Sequence, residues 1–111
     1  MPVFVINTNI KIEHDAVLHE LSQLCADMLG KPESYVMIQI NDQQKLIFAG
    51  SHQPAALCSL TSLGLNQQQT AGFSEKICGY LSSHLNIPAA RTYIEFKSPE
   101  RSLFGWNKST F

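Results

Sequence analysis

The chain has 111 residues, of which 44% are hydrophobic and 15% are charged, and its formal net charge is −1. These values predict one folded domain spanning residues 1–111, and they argue against nucleic acid or an anionic membrane as the partner, because both favour a basic face. A domain this small leaves much of its surface unburied, so self-association would help to stabilise it.

Cysteine usage and the N-terminus indicate where the protein works. Cys25, Cys58 and Cys78 are an odd number without C-x-x-C spacing, so a disulfide scaffold or a zinc ribbon is not expected and a reducing compartment is favoured. The N-terminus lacks the basic region of a signal peptide, and no apolar run approaches the roughly 20 residues of a spanning helix. We therefore expect a cytoplasmic protein without membrane insertion, although secretion without a signal peptide would leave no mark in the sequence.

The first half of the chain alternates strand and helix patterns. Short apolar runs predict strands at residues 2–6, 35–40 and 46–49. Between the first two, residues 15–29 repeat apolar side chains at three- and four-residue steps, which predicts a helix with one buried face. Gly30 suits the C-terminal cap of this helix, and Pro32 prevents its continuation.

The second half repeats this order. Strands are predicted at residues 57–63 and 92–96, with a helix at 67–85 between them. Asn86-Ile87-Pro88 stands where Gly30-Lys31-Pro32 stood, and the offset from Pro32 to Pro88 is 88 − 32 = 56 residues. We interpret the chain as two βαβ units, roughly residues 1–50 and 51–111.

The repeat predicts the fold class and an exposed sheet face. Right-handed crossovers place both helices on the same face, giving an α+β fold in which a four-stranded mixed sheet carries two helices on one side. The strands are nearly continuous apolar runs, as at residues 3–6 and 36–38, so the other face needs a second cover. Neither half has a helix left, which favours other subunits as the cover. The alternative is that this face is partly solvated.

Several motifs carry a resemblance to a known family. They are Met1-Pro2-Val3-Phe4, Asn7-Thr8-Asn9, Gly30-Lys31-Pro32-x-x-Tyr35-Val36, Phe48-Ala49-Gly50-Ser51, Pro54-x-Ala56-x-Cys58-Ser59-Leu60, Ser62-Leu63-Gly64 and Gly105-Trp106-Asn107-x-Ser109-Thr110-Phe111. With these motifs in this order, the whole chain resembles the macrophage migration inhibitory factor and D-dopachrome tautomerase proteins. The resemblance implies a homotrimer with an active site at each subunit boundary.

The resemblance also implies an isomerase, a tautomerase that needs no cofactor. Its substrates would be phenylpyruvate-like 2-oxo acids and dopachrome-like compounds, and its general acid/base would be Pro2, exposed as the N-terminal amine once Met1 is removed. Such a base must be neutral near pH 7, so burial and a nearby cation must lower its pKa. Lys31 matches the family position beside the proline, and its ammonium would also hold the substrate carboxylate or the developing enolate oxygen.

The substrate-binding residues follow from the same comparison. The backbone N–H of Leu63 matches a family contact to the carboxylate. Aromatic side chains match the walls of the family pocket: Tyr35, Tyr93, Phe104, Trp106 and Phe111. Among these, Tyr93 is expected to reach the pocket across a subunit boundary. Glu95 stands where the best-known member has an asparagine, so its carboxylate is expected to repel acidic substrates or to raise the pKa of Pro2.

Two alternatives to an enzyme stay open. The first is a cytokine-like interaction protein with a weak or vestigial tautomerase site and a protein receptor; Lys11, which replaces a family arginine in a receptor-linked loop, counts against it. The second is a βαβ-repeat regulatory module for a small ligand, which fits the architecture and not the terminal motifs. No metal is expected, because the four histidines form no helix-spaced pair with carboxylates.

Overall fold

In the computed structural model, which describes all 111 residues, a four-stranded sheet is covered on one face by two helices. The strands are β1 (Val3–Thr8), β2 (Met37–Asn41), β3 (Ala56–Thr61) and β4 (Thr92–Lys97), and the helices are α1 (Ala16–Leu29) and α2 (Thr70–Leu85). The sheet order is β2-β1-β3-β4, with β1/β2 and β3/β4 parallel and β1/β3 antiparallel. The predicted pair of βαβ units in one mixed sheet is therefore confirmed.

Both helices end at a left-handed residue, as the sequence predicts for the first of them. Gly30 has φ 62° and its N–H bonds back to the end of α1, while Asn86 takes the same role after α2 with φ 55°. Helix α2 is shorter than predicted, because residues Gln67–Gln69 form a 3-10 turn before it. Neither helix combines the length and the apolar character needed to cross a membrane.

The core lies between the helices and one face of the sheet. Side chains that are completely buried there include Phe4, Ile6 and Leu60 from the strands and Leu21, Ile77 and Leu81 from the helices. Burying a side chain of this size contributes about 1.5–3 kcal/mol of transfer free energy. These contacts, rather than local helix propensity, fix the helices on the sheet.

The opposite face of the sheet is mixed rather than continuously apolar, which corrects the prediction. Apolar residues on it are Val3, Val5, Met37, Leu57 and Tyr93, and polar ones include Asn7, Gln39, Ser59 and Glu95. Val3 and Val5 are half-buried, while Met37, Leu57 and Tyr93 are 64%, 51% and 65% exposed. Successive side chains of a strand point to opposite faces of the sheet. A short apolar run therefore places only some of its side chains on the open face, where they lie beside polar residues of the same strands.

The strand predicted at residues 46–49 is wrong. This segment is irregular and makes one isolated bridge, between Phe48 and Ser51, across a turn in which Ala49 and Gly50 both have positive φ. Backbone N–H groups of Gln43 and Gln44 donate to the carbonyls of Ile10 and Thr8, at 2.8 and 2.9 Å. These bonds tie the residues before this segment to the end of β1 and to Ile10 just after it.

Arg91 holds the loop between β2 and β3 in place. Its guanidinium donates four hydrogen bonds of 3.0 Å to backbone carbonyls of this loop, at Pro54, Phe48, Ser51 and Gln53. The same group lies over the Phe48 ring at 5.1 Å, and that ring contacts Tyr93 edge-on at 5.1 Å. One side chain thus anchors a loop that has almost no secondary structure of its own.

The chain ends in a small hairpin that the sequence analysis did not predict. Strands β5 (Gly105–Trp106) and β6 (Ser109–Thr110) are joined by Asn107 and Lys108, both with positive φ. Two such residues form the kind of turn that matches the twist of paired strands. The hairpin brings the terminal aromatic residues back against the first βαβ unit.

Candidate active site

The N-terminal end of β1 and the C-terminal end of α1 meet at one edge of the molecule. Pro2 immediately precedes β1 and is buried, and its carbonyl accepts a hydrogen bond of 3.0 Å from the Met37 N–H of β2. Lys31 follows the left-handed Gly30, and its own N–H donates to Ala26 at 3.0 Å. The helix cap therefore turns the chain so that Lys31 lies beside the start of the strand.

These elements enclose a cavity of about 210 Å³. Its lining residues are Met1, Lys31, Pro32, Tyr35, Leu63, Arg101 and Phe111. Met1, Lys31, Tyr35, Leu63 and Phe111 come from four separate parts of the chain, and only the fold brings them together. The cavity combines two cations, Lys31 and Arg101, with the aromatic residues Tyr35 and Phe111, and it is smaller than the roughly 300–1,000 Å³ of typical ligand pockets.

Two aromatic residues, Tyr35 and Phe111, line the cavity, and two more pack against them. The Trp106 and Phe111 rings stack at 5.5 Å, and Trp106 meets Tyr35 edge-on at 5.7 Å. Phe104 contacts Phe111 at 5.9 Å, and its carbonyl accepts the Phe111 N–H at 3.1 Å. Four of the five predicted aromatic residues therefore form a single connected cluster at this cavity.

The electrostatics favour a neutral amine at the start of the chain. Burial, and after it the positive charges of Lys31 and Arg101, lower the pKa of the N-terminal ammonium of Met1 below its ordinary value of 8.0. Desolvation and like charge both penalise the protonated form. Burial and nearby cations, which are predicted to lower the pKa of the Pro2 amine, thus lower the pKa of the Met1 amine one residue before it.

The backbone N–H of Leu63, a residue that lines the cavity, has no hydrogen-bond acceptor within the chain. The Leu63 side chain is buried at 6% exposure, and its amide makes no hydrogen bond within the chain. The preceding residue, Ser62, donates its own N–H to Lys97 at 3.0 Å and so fixes this part of the backbone. A free donor on the cavity wall can bind a carboxylate oxygen.

Tyr93 and Glu95 lie elsewhere in the subunit. Both project from the open face of β4, where they line a second cavity of about 420 Å³ with Asn7 and Leu57 among its other residues. The Glu95 carboxylate makes an exposed ion pair of 3.1 Å with Lys97. Within one chain these two residues are thus not brought together with Pro2 and Lys31.

Arg101 lines the first cavity and was missed by the sequence analysis. It begins a 3-10 turn, Arg101–Leu103, and its Nε donates to a main-chain oxygen of Phe111, the last residue, at 2.9 Å. No motif marked it, since the residues around it, Glu100 and Ser102, carry no pattern. A scan for cations close to the terminal aromatic motif would have found it.

The other reactive side chains do not form a site. Cys25 and Cys58 are buried, and burial raises the pKa of each thiol to about 12, so neither is a thiolate near neutral pH. Cys78 is half-buried and also unpaired. No three histidine, cysteine, aspartate or glutamate side chains are grouped in a way that could hold a metal ion.

The fold and the cavity define a class: small α+β proteins of two βαβ repeats, with a buried proline and a basic residue at the start of the first strand. Residues 1–111 match the family model of macrophage migration inhibitory factor. The chain belongs to the macrophage migration inhibitory factor family.

Known proteins are similar to this chain over its full length. It is 40% identical to a macrophage migration inhibitory factor of Xenopus tropicalis, over 100% of the chain and 99% of the relative. It is 42% identical to a homolog from Trichuris trichiura, with 100% of both chains covered. The solved structure of the factor from Trichinella spiralis superposes with a TM-score of 0.94 at 38% identity, covering 98% of this chain and 99% of that one.

Proposed function

We propose that this protein is a cofactor-free keto–enol tautomerase of phenylpyruvate-like 2-oxo acids, with Pro2 as the general acid/base. The observation that carries the proposal is the position of the N-terminal amine. In the structure this is the amine of Met1, one residue before Pro2; Met1 lines a cavity with Lys31 and Arg101, and burial, with the charges of these two residues, lowers the pKa of its amine. Dopachrome-like compounds, which also combine an aromatic ring with a transferable proton, belong to the same substrate class.

The proposed proton transfer needs two groups and no cofactor. After removal of Met1, the neutral amine of Pro2 takes the proton from the carbon next to the 2-oxo group, and the electron pair moves to the carbonyl oxygen. The Lys31 ammonium stabilises the negative charge that develops there. Proton return to that oxygen gives the enol, and the reverse steps give the ketone.

The cavity walls suit an aromatic substrate. Tyr35 and Phe111 line the cavity with aromatic rings, which suit an aryl group, and Trp106 packs against both of them. The N–H of Leu63 is a free donor for a carboxylate oxygen. Phe104 supports this wall through Phe111.

We further propose that the active assembly is a homotrimer in which a neighbouring subunit completes each site. Three observations support this: the open sheet face is partly apolar, its exposed members include Tyr93, and the edge strands β2 and β4 are uncovered. A neighbour's Tyr93 and Glu95 would then reach the cavity that holds Pro2. Analytical ultracentrifugation tests the assembly, and a clean monomer or dimer would contradict it.

The enzyme proposal is tested by freeing or blocking the amine. Spectrophotometric ketonisation of phenylpyruvate is compared between protein without Met1, protein that keeps Met1, and Pro2→Gly. General acid–base groups contribute about 10²–10⁴-fold, so both altered forms are expected to lose about 100-fold or more in kcat/KM. Intact mass spectrometry establishes which N-terminus each sample carries. Equal, near-background rates in all three would contradict the proposal.

A second candidate is an interaction protein in which this site is vestigial. It is favoured by the full-length match to relatives named for an effect on macrophages, and by the absence of Tyr93 and Glu95 from the cavity of one chain. Migration of macrophages is measured with the wild type and with Pro2→Gly. Equal effects of both, without measurable turnover, would support this candidate over the enzyme.

A further inference from the structure

Three hydrogen bonds join Arg101, Phe104 and Phe111 into a closed ring. The Phe104 N–H donates to the Arg101 carbonyl at 3.3 Å, and the Phe111 N–H donates to the Phe104 carbonyl at 3.1 Å. The Nε of Arg101 completes the ring, because it donates to a main-chain oxygen of Phe111 at 2.9 Å. Two of these bonds join backbone groups that almost any residue provides, so the third is the one that depends on a side chain.

Phe111 has few other attachments, although its ring lines the cavity. It lies one residue beyond β6, and apart from the bond to Arg101 its one hydrogen bond is that of its N–H with Phe104. The ring stacks on Trp106 at 5.5 Å, with 14° between the two planes, and lines the cavity together with Tyr35. The position of this part of the cavity lining therefore depends on how residue 111 is held.

We propose that Arg101 is a positioning residue, which holds the Phe111 ring in place as part of the cavity lining. A hydrogen bond from a charged donor is stronger than one between neutral groups, so the Arg101 side chain holds residue 111 more firmly than the backbone bond to Phe104 does. Arg101 acts here through Phe111 and not by touching the reacting atoms. Its effect on turnover rests on the proposed function, whereas the placement of the ring does not.

The single tryptophan reports the placement of the ring without any turnover. Because Trp106 stacks on Phe111, its near-ultraviolet circular dichroism depends on the ring staying in place. Spectra are compared for wild type, Arg101→Met and Arg101→Lys, since methionine keeps an apolar stem without a donor, and lysine keeps the charge and a donor. Lys108→Met is the matched control, because Lys108 is an exposed cation in the turn of the same hairpin.

Arg101→Met is expected to weaken the tryptophan band, while Arg101→Lys recovers most of it and Lys108→Met leaves it unchanged. Binding of 3-phenylpropanamide, an uncharged aromatic ligand, is followed by NMR titration. Its Kd is expected to rise about fivefold in Arg101→Met, which is the effect of losing one ordinary hydrogen bond. Phe111→Leu should cause a similar loss, and adding Arg101→Met to it should cause almost no further loss, because both changes act on the same ring.

Turnover gives a second readout. Phenylpyruvate is assayed well above the pKa of the amine, where the charge of Arg101 no longer affects its protonation. Arg101→Met is then expected to raise KM about fivefold and to leave kcat nearly unchanged, because the ring contributes to binding and not to proton transfer. Arg101→Lys should recover most of the loss in KM.

An unchanged tryptophan band in Arg101→Met would overturn the inference, and so would an equal change in Lys108→Met. Far-ultraviolet circular dichroism in urea is recorded on the same samples. If the tryptophan band weakens only where this second signal is also lost, Arg101 supports the whole fold and not the ring, which would overturn the inference as well.

The two proposals fail separately. Wild-type protein without Met1 that shows no turnover contradicts only the proposed function, because the tryptophan band and the binding of the amide still test the ring. Turnover with an unchanged KM in Arg101→Met contradicts only the role of Arg101.

Discussion

The two βαβ units share one backbone plan and differ in what they do at the same positions. Each helix ends at a left-handed residue, Gly30 or Asn86, and each is followed two residues later by a proline with φ near −60°. At the position between, the first unit has Lys31 on the cavity wall, and the second has Ile87, which is completely buried.

The start of the first strand can be compared between the two units in the same way. Val3 pairs with Met37 and Leu57 with Tyr93, and Met37 and Tyr93 are 93 − 37 = 56 residues apart, so Pro2 corresponds to Ala56. Both are buried. The backbone thus forms the same corner twice, where the start of a strand meets the end of a helix. In the first unit the side chains at this corner line a cavity, and in the second unit they are part of the core.

Exchanging the two corner residues is expected to have the largest effect. Ile87→Lys buries an unpaired ammonium at a position with 0% exposure, so it should lower the free energy of unfolding by about 3 kcal/mol or more. The reciprocal Lys31→Ile should stay within about 0.5 kcal/mol, because Lys31 is half-buried and makes no ion pair. Urea unfolding measures both, and equal losses would mean that the two corners are not different.

The pH profile tests the charge at the first corner. Burial, and after it Lys31 and Arg101, lower the pKa of the Met1 amine, and the same causes are expected to act on the amine of Pro2 once Met1 is removed. In the proposed mechanism the neutral Pro2 amine is the active form, so kcat/KM should fall as pH falls through the pKa of that amine. Lys31→Gln removes one cation, so the apparent pKa of the base should rise toward its ordinary value. The variant should therefore lose more activity near pH 6 than near pH 9. A uniform loss across the profile would show that Lys31 does not act on the base.

Arg91 and Tyr35 occupy corresponding positions, since 91 − 35 = 56, and their replacement should differ in cost. Arg91→Lys cannot reproduce four bonds from one planar fork, so we expect a loss of about 2 kcal/mol and a Tm lower by about 8 °C. Tyr35→Phe removes a hydroxyl without a hydrogen-bond partner in the chain and should change stability by less than about 0.5 kcal/mol. Thermal unfolding followed by circular dichroism measures both variants, and a stable Arg91→Lys would contradict the clamp.

The smallest effect is expected at the buried thiols, one in each unit. With a pKa raised to about 12, Cys25 and Cys58 are thiolates in about one part in ten thousand near pH 8. Iodoacetamide should therefore leave both unmodified in the folded protein and modify them in urea. Mass spectrometry of the digested chain identifies each site, and rapid labelling of either cysteine in the fold would show that its unit opens.

Local patterns were enough to predict the two helices, their C-terminal ends and the repeat. Leu21, Ile77 and Leu81 recur at helical spacing, and Gly30 needs no neighbour to favour a left-handed cap, so these features can be read along the chain. The same patterns failed at residues 46–49, because Arg91 and the carbonyls it binds are about 40 residues apart. They also failed on the open sheet face, where burial depends on which side a helix covers.

The site divides in the same way. Pro2 and Lys31 were named through a resemblance and stay proposals as to their roles, yet each belongs to a motif that is legible in the sequence. Arg101 belongs to none, and it lines the cavity because the hairpin folds Trp106 back against Tyr35 while Arg101 bonds Phe111. Periodicity and caps are set by neighbours within a few residues, and so they are encoded locally. A cavity is made of contacts between distant segments, and these exist only once the sheet, the helices and the hairpin have packed together.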